Sequence, residues 1–415
     1  MSKPRHFCQL DHTLAESKEG RLFVHPGTAD VIDLSGVRVV NFSTDTVRQL
    51  YRGALRPGVL ALFEGKANSL VELGDHTWHP GRIGRDSGYQ FRLQNADLGV
   101  ILLIKSFHVD AGQPGPHLKI EVSPHLIQSR TPQALQRLLD SLAGLVLTDV
   151  ERNQCAVHVA LDVQGWHPGD DFQAHLHCRS RRSTSVTGIN SVDFNSESVV
   201  YGRGQSWSFG SAGGIQLAVY NKTLEAKAKD RLDYWRNVWS ASGDYDESKP
   251  VYRIEFRFHH SIVDQFAQGS ADPTTGEVIN TTGYDELYPH LTGLWRYALD
   301  NFRYLYSPGY FDPFWTLIGG LSLCPGGSPK VEYRRYYKTS SGFSGKNVEL
   351  LLGNFLSCAA RMRLSGCQAW KAFTRLPFFQ MLQDHYTDKG MKHWEFKQHF
   401  LKLMNERYIR YGKAV

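Results

Sequence analysis

The sequence predicts an α+β protein: a mixed or antiparallel sheet core with helices, followed by a mainly helical C-terminal domain. Three observations predict it. Short segments with two-residue alternation, such as "IQLAVYNK" (215–222) and "VYRIEFRF" (251–258), read as strands with one apolar and one polar face. Segments with apolar residues three and four apart, such as 347–362 and 393–409, read as helices and gather beyond about residue 285. A chain of 415 residues with 41% hydrophobic and 21% charged residues can bury a substantial core and divide into domains.

The elements follow in order. Residues 1–44 read as an N-terminal arm, 45–284 as a catalytic core and 285–415 as a helical accessory domain. "STDTVRQLYRGAL" (43–55) reads as a short helix that Ser43 or Thr44 could cap. Strands are expected at 58–64, 89–95, 99–107 and 117–123. A helix follows at 131–147, with Thr131 as N-cap and Pro132 in the first turn. Next come a strand at 155–163, a Gly/Ser/Asn-rich basic loop at 165–213, the strand at 215–222, an amphipathic helix at 223–239 and the strand at 251–258.

Composition excludes several classes. No run of eighteen apolar residues exists, so no membrane span or membrane partner is expected, and the start lacks the apolar segment of a secretory signal. Six cysteines stand scattered without a C-x-x-C pair, which argues against a zinc ribbon or a disulfide framework and suggests a reducing cytoplasm. The net charge of +6 is modest, but three segments concentrate arginine or lysine, two of them mixed with tyrosine. They are 179–185 with Arg179, Arg181 and Arg182, 332–338 with Arg334 and Arg335, and 405–413; Arg203 lies in the same basic loop as the first. Cations neutralise phosphates and aromatic faces stack on unpaired bases, so the mixture suits single-stranded nucleic acid.

The polar faces of the strands carry the chemistry. His117, Lys119 and Glu121 oppose Leu118, Ile120 and Val122; His158 and Asp162 oppose Val157, Val159 and Leu161; Arg253, Glu255 and Arg257 oppose Ile254, Phe256 and Phe258. Tyr220 and Lys222 end the polar side of a fourth strand. If the strands share a sheet, two carboxylates and a histidine can hold Mg2+ or Mn2+, and a tyrosine beside cations can attack phosphorus. The expected ligands are Asp162 and Glu255, with His158 or Glu121 as a further one.

These segments resemble the replication initiation factor (Rep-trans) family of rolling-circle initiators, with the filamentous phage replication proteins as nearest kin. "IQLAVYNKTLE" followed by "YRIEFRF" is similar to its R-I-Y-D-K-x-x-E … R-x-E signature, "HLKIEVS" to H-V-E-L-S-G, and "VHVALDV" to R-I-D-L-A-x-D, in the same order over residues 45–265. The resemblance implies metal-dependent nicking of one origin strand, a transient 5′-phosphotyrosine link and strand transfer. It places Tyr220 and Lys222 on Y-x-K, Glu225 on the following glutamate, Arg253 and Glu255 on R-x-E, and Asp162 on the second aspartate of its strand. Tyr220, Lys222 and Arg253 are then the catalytic residues. The implied partners are origin DNA, single-stranded or hairpin, with a host helicase or polymerase and a homodimer as further possibilities, in the cytoplasm of a bacterial host.

Two positions depart from the pattern. His158 stands where the first aspartate would, and Ser208 in "SWSFGS" stands where many members carry the tyrosine of T-x-Y-x-G-S. Tyr220 is then the replacement nucleophile and Tyr201 the reserve. Two other readings stay open: a catalytically silent origin-binding protein on the same scaffold, and an RNA-binding protein. His175 and His177 also fit the histidine–hydrophobic–histidine pattern of another class of rolling-circle nucleases, a motif of low specificity in a chain with 18 histidines.

Overall fold

A computed structural model describes residues 4–10, 21–65, 69–84, 87–178, 183–187, 205–211, 213–324, 330–336, 345–388 and 390–410. Near the N-terminus β1 (Cys8–Leu10), β2 (Leu22–Val24) and β3 (Val31–Asp33) form a small antiparallel sheet. The frame of the protein is a larger one. Its strands in chain order are β4 (Arg38–Leu55), β5 (Val71–Leu73), β6 (His76–Arg82), β7 (Tyr89–Asn95), β8 (Val100–Ser106), β9 (Gly115–Val122) and β10 (Leu147–Gln164), then, beyond a third small sheet that starts with β11 (Leu176–Cys178), β12 (Ser183–Thr187), β13 (Gln205–Gly210), β14 (Ile215–Asn221) and β15 (Tyr252–Phe258). They pair antiparallel in the order β12-β13-β14-β15-β10-β4-β9-β8-β7-β6-β5. Helices α1 (Pro124–Gln128) and α2 (Pro132–Val146) precede β10, and α3 (Phe172–His175) follows it. After β14 come α4 (Lys222–Ala228) and α5 (Leu232–Ser240); after β15 come α6 (His260–Gly269), α7 (Tyr284–Leu287), α8 (Leu291–Asn301), β16 (Phe302–Ser307), β17 (Tyr310–Phe311) and α9 (Pro313–Gly319). This is an α+β fold.

One face of the sheet is core. Val47, Tyr51, Leu118, Ile120, Val157, Val159, Leu161, Leu217, Val219, Ile254 and Phe256 are buried there. Helix α2 covers them with Leu135, Leu139 and Leu142, α6 with Ile262 and Phe266, and α8 with Leu294 and Trp295. Each fully buried side chain of this size contributes roughly 1.5–3 kcal/mol, so the sheet cannot slip by one residue without turning its apolar set to water. The start of α2 is as expected: Thr131 accepts from the Ala134 N–H at 3.2 Å, and Pro132 fills the first turn.

Several expectations are corrected. Residues 43–55 are not a helix but most of β4, which is paired on both sides, to β9 and to β10. Val47 and Tyr51 alternate into the core, and this tertiary pairing overrides the local cap signal. Gly53 fits there because a Cβ would stand 2.4 Å from the Thr148 carbonyl oxygen of β10. Residues 58–64 are a 3-10 turn over Leu60–Phe63, not a strand, and Phe63 stacks on Phe91 at 4.5 Å. The helix expected at 223–239 is broken into α4 and α5 at Asp230, whose φ is 53°. The expected arm holds β1–β3, and the main sheet already begins at Arg38.

The chain divides at residues 335 and 336 rather than at 285. Tyr284, Leu287, Leu291, Leu294, Trp295, Phe314 and Trp315 belong to the same core as the sheet, so residues 285–335 complete the first unit. Gly293 shows how closely they pack, since a Cβ would lie 2.0 Å from the Tyr333 ring. The second unit consists of α10 (Gly345–Arg361), α11 (Gly366–Phe373), α12 (Phe379–Asp388) and α13 (His393–Arg410). It has its own core of Leu352, Leu356, Phe373, Leu382, Phe396, Phe400 and Met404. Among the described residues no helix is long and apolar enough to cross a membrane.

The N-terminus of α6 has a pH consequence. The Nδ1 atom of His260 is buried without a partner, and burial, then His259 and Lys119, lower its pKa to about 4. A depressed folded-state pKa means that the unfolded chain binds the proton first. Stability should therefore be full above about pH 6.5 and fall as the pH drops from there towards 4. Thermal unfolding midpoints across that window should fall less for His260→Gln than for the parent; equal slopes would remove the assignment.

Candidate active site

The polar face of the central strands is the floor of a cleft of about 680 Å³. Register brings the residues together. On β10, β15 and β14, Asp162, Arg253 and Tyr220 lie in one cross-strand row, and Ala160, Glu255 and Ala218 in the next. His158 sits opposite Arg257 and opposite Thr46 of β4. Strands β13 and β14 add Ser206 opposite Tyr220, and Ser208 opposite Ala218.

Asp45, His158 and Glu255 form a group whose ligand atoms all lie within 4.8 Å of one another. The sequence reading missed Asp45, and a bulge in β4 explains why. His158 pairs with Thr46 and Val159 with Thr44, which leaves Asp45 without an opposite residue. An extra residue reverses the alternation: Thr46 and Arg48 face the cleft, whereas Thr44 and Phe42 face the core, against Tyr284 and Trp295. Strict alternation with Val47 would have put Asp45 in the core. Bulges of this kind re-aim side chains beside functional sites.

Asp162, the expected ligand, is not in the group. It is fully buried, and its carboxylate accepts two hydrogen bonds from Arg253, Nε to Oδ1 at 2.6 Å and Nη2 to Oδ2 at 2.8 Å. Trp239 Nε1 donates to it at 2.9 Å and Asn41 Nδ2 at 3.3 Å. Arg253 is equally buried and also donates through Nη1 to Asp45, while its guanidinium lies 4.3 Å from the Trp235 ring centre. It does not line the cleft. Expected as catalytic, Arg253 instead holds Asp45 in position from below, anchored on Asp162.

Glu255 is the hub. Its Oε1 accepts from Arg257 Nε at 2.8 Å and lies 3.1 Å from His158 Nδ1, and its Oε2 accepts from the Tyr220 hydroxyl at 3.0 Å. Burial raises the Glu255 carboxyl, but Arg257 and His158 outweigh it and hold the group well below the usual carboxylate range. For Tyr220 the expectation that neighbouring cations favour the phenolate is corrected. Burial first, then Glu255, push the phenol well above its ordinary value, and Arg253 opposes them only in part. The hydroxyl is a neutral donor to a carboxylate.

Lys222 is also placed differently from expectation. Asn221 accepts from the Leu224 N–H at 3.0 Å and caps α4, so Lys222 is the first helical residue rather than the last of the strand. Its ammonium bonds Glu225 and lies 4.4 Å from the Trp235 ring centre and 5.9 Å from that of Tyr220. Burial, then Arg253, lower its pKa against the pull of Glu225. Glu121, the alternative ligand, lines the cleft but is taken by Arg48 and Lys119 at 3.3 and 3.1 Å.

The nucleic-acid residues separate. Arg179, Arg181, Arg182, Arg203 and the reserve Tyr201 lie outside the described residues. Arg334 is exposed and pairs with Glu332 at 2.6 Å, while Arg335 donates to Gln265 at 3.0 and 2.8 Å. His175 ends α3, with Nδ1 at 3.0 Å from the Leu305 carbonyl oxygen, and His177 is in β11; neither belongs to the group of three. Ser208 lines the cleft and accepts from Gln216 Nε2 at 2.8 Å. It stands diagonally beside Tyr220 across the β13–β14 pair.

Two carboxylates and an imidazole suit a borderline divalent ion. Fold and site thus define an α+β protein with a group able to hold a metal beneath a tyrosine hydroxyl. The chain is 48% identical over 413 residues, 96% of each chain, to the uncharacterized protein ORF430 of Pseudomonas phage Pf1, and it belongs to the same family. No protein-family model matches it. No solved structure matches it either.

Proposed function

We propose that this protein is a replication initiator of the rolling-circle type, which nicks one DNA strand at an origin through a transient 5′-phosphotyrosine link and transfers it. The observation that carries the reading is the hydrogen bond from Tyr220 to Glu255 at 3.0 Å, within a group of two carboxylates and a histidine at the floor of an open cleft. The phage relative and the resemblance to initiators support it.

Arg48, Arg257 and Lys229 line the cleft and would draw the backbone of a single strand into it. The Tyr220 oxygen attacks phosphorus, the bond from phosphorus to the 3′ oxygen breaks, and the 3′ oxygen leaves with a proton taken from water. The phenol proton passes to Glu255, along the existing hydrogen bond. Asp45, His158 and Glu255 would hold Mn2+ or Mg2+, which when bound would supply positive charge to the phosphate and to a developing phenolate. Arg253 keeps Asp45 in place.

A catalytically silent origin-binding protein is the second reading, favoured by the neutral phenol and by Ser208. Incubation with origin-containing supercoiled DNA and manganese separates the two, because only the first leaves protein covalently attached. Asp45→Asn and Glu255→Gln should each weaken Mn2+ binding, read as free Mn2+ by electron paramagnetic resonance, and suppress the adduct. Parental Mn2+ binding in both variants would remove this group as the metal site.

A further inference from the structure

Charge is divided unevenly between the two units. Residues 336–415 carry 13 lysines and arginines against 5 aspartates and glutamates, a net +8, whereas the whole chain is +6 and residues 1–335 are therefore −2. A basic unit joined to a slightly acidic one is the electrostatic footprint of a polyanion-binding module.

Within that unit α13 is built to present a surface. It is 18 residues long, about 27 Å at 1.5 Å per residue. Phe396, Phe400, Met404 and Tyr408, four residues apart, pack into the unit's core. On the other side Trp394, Gln398, Lys402 and Asn405 recur at i, i+4, i+8 and i+11, all exposed, with Lys397 exposed at their flank. That spacing keeps them on one narrow stripe. The side-chain types suit a duplex: glutamine and asparagine amides match adenine edges in the major groove, and the lysines neutralise phosphates beside it. Trp394 is 56% exposed, a ring that the unit's own core leaves at the surface. Glu406 borders the stripe near its C-terminal end and would disfavour phosphate there.

We infer that α13 is a recognition helix, which lays this stripe in the major groove of duplex DNA. The inference rests on reading the chain as a protein that acts on DNA, but it concerns a duplex held by the second unit and uses neither Tyr220 nor the metal-binding group.

The test uses the full chain in EDTA, a labelled 30-base-pair mixed-sequence duplex, one of its strands alone, and vesicles of anionic phosphatidylglycerol. The double variant Lys397→Gln/Lys402→Gln should weaken duplex binding about tenfold and reduce the log–log salt slope by about 1.8, for two lost phosphate contacts. Arginine at both positions should restore the slope. Gln398→Ala/Asn405→Ala should keep the slope yet change the sequences recovered from a random duplex pool. Unchanged affinity and slope in the lysine variant would overturn the proposal, as would a loss of vesicle binding with duplex binding intact. An unchanged selected sequence would overturn the base-reading role. If no adduct forms in any protein while duplex binding responds as stated, the inference stands and strand cleavage falls; the reverse pattern removes α13 and leaves cleavage.

Discussion

Tyr220→Phe should abolish the covalent DNA adduct while DNA binding and the fold persist. The substitution removes one hydroxyl whose partner, Glu255, still keeps Arg257 and His158, so the cost in stability should be about 1–2 kcal/mol. The chemistry has no such reserve. A phenol with a reference pKa near 10 is about one part in a thousand ionised at neutral pH. Here burial and Glu255 raise it further, so attack depends on passing the proton to Glu255 and on cationic charge brought to the cleft. Glu255 is held well below the usual carboxylate range and is already ionised, so adduct formation in the parent should stay level through the neutral range, measured as protein retained on a labelled single-stranded oligonucleotide after denaturation. An adduct that survives in Tyr220→Phe and disappears in Tyr201→Phe would move the nucleophile to Tyr201. One that survives in both would exclude both tyrosines.

Asp162→Ala should destabilise the protein by about 3–5 kcal/mol, because it strands a buried guanidinium. Arg253 and Asp162 are both fully buried and joined by two short hydrogen bonds, with Trp239 and Asn41 on the same carboxylate. Loss of Asp162 leaves Arg253 with Asp45 and the face of Trp235. The reading of Asp162 as a metal ligand predicted the opposite, a folded protein that has lost its metal. Urea unfolding decides between them. Asp162→Ala/Arg253→Met should be less destabilised than the sum of its two single variants, since the unpaired charge is gone. A cost below about 1 kcal/mol for Asp162→Ala would show that water or another group reaches Arg253.

Much of this was legible beforehand because it is local. Alternation in 117–122, 155–163, 215–221 and 252–258 assigned strands and faces correctly, since a pleated strand with one buried side leaves a period of two in its residues. Glu255, His158 and Tyr220 were placed on the polar face in this way, and the cap at Thr131 was legible because it depends only on the residues of its own first turn. The segment 43–55 was misread because its helical signals are local and its strand pairing is not. Without that pairing the bulge at Asp45 cannot be seen, and the third member of the group was lost with it.

The sequence by itself determined which residues of β9, β10, β14 and β15 lie on the apolar side and which on the polar side, and that carboxylates, a histidine and a tyrosine gather on the latter. Only the tertiary structure decided which carboxylate holds which partner. Asp162 and Asp45 are the same chemical group, but Arg253 and Trp239 enclose one of them completely, while the bulge turns the other towards the cleft. Those contacts join positions 91, 77 and 208 residues apart along the chain. The register and packing that bring such positions together are set by the sum of the core's contacts, and no local pattern of residues encodes them.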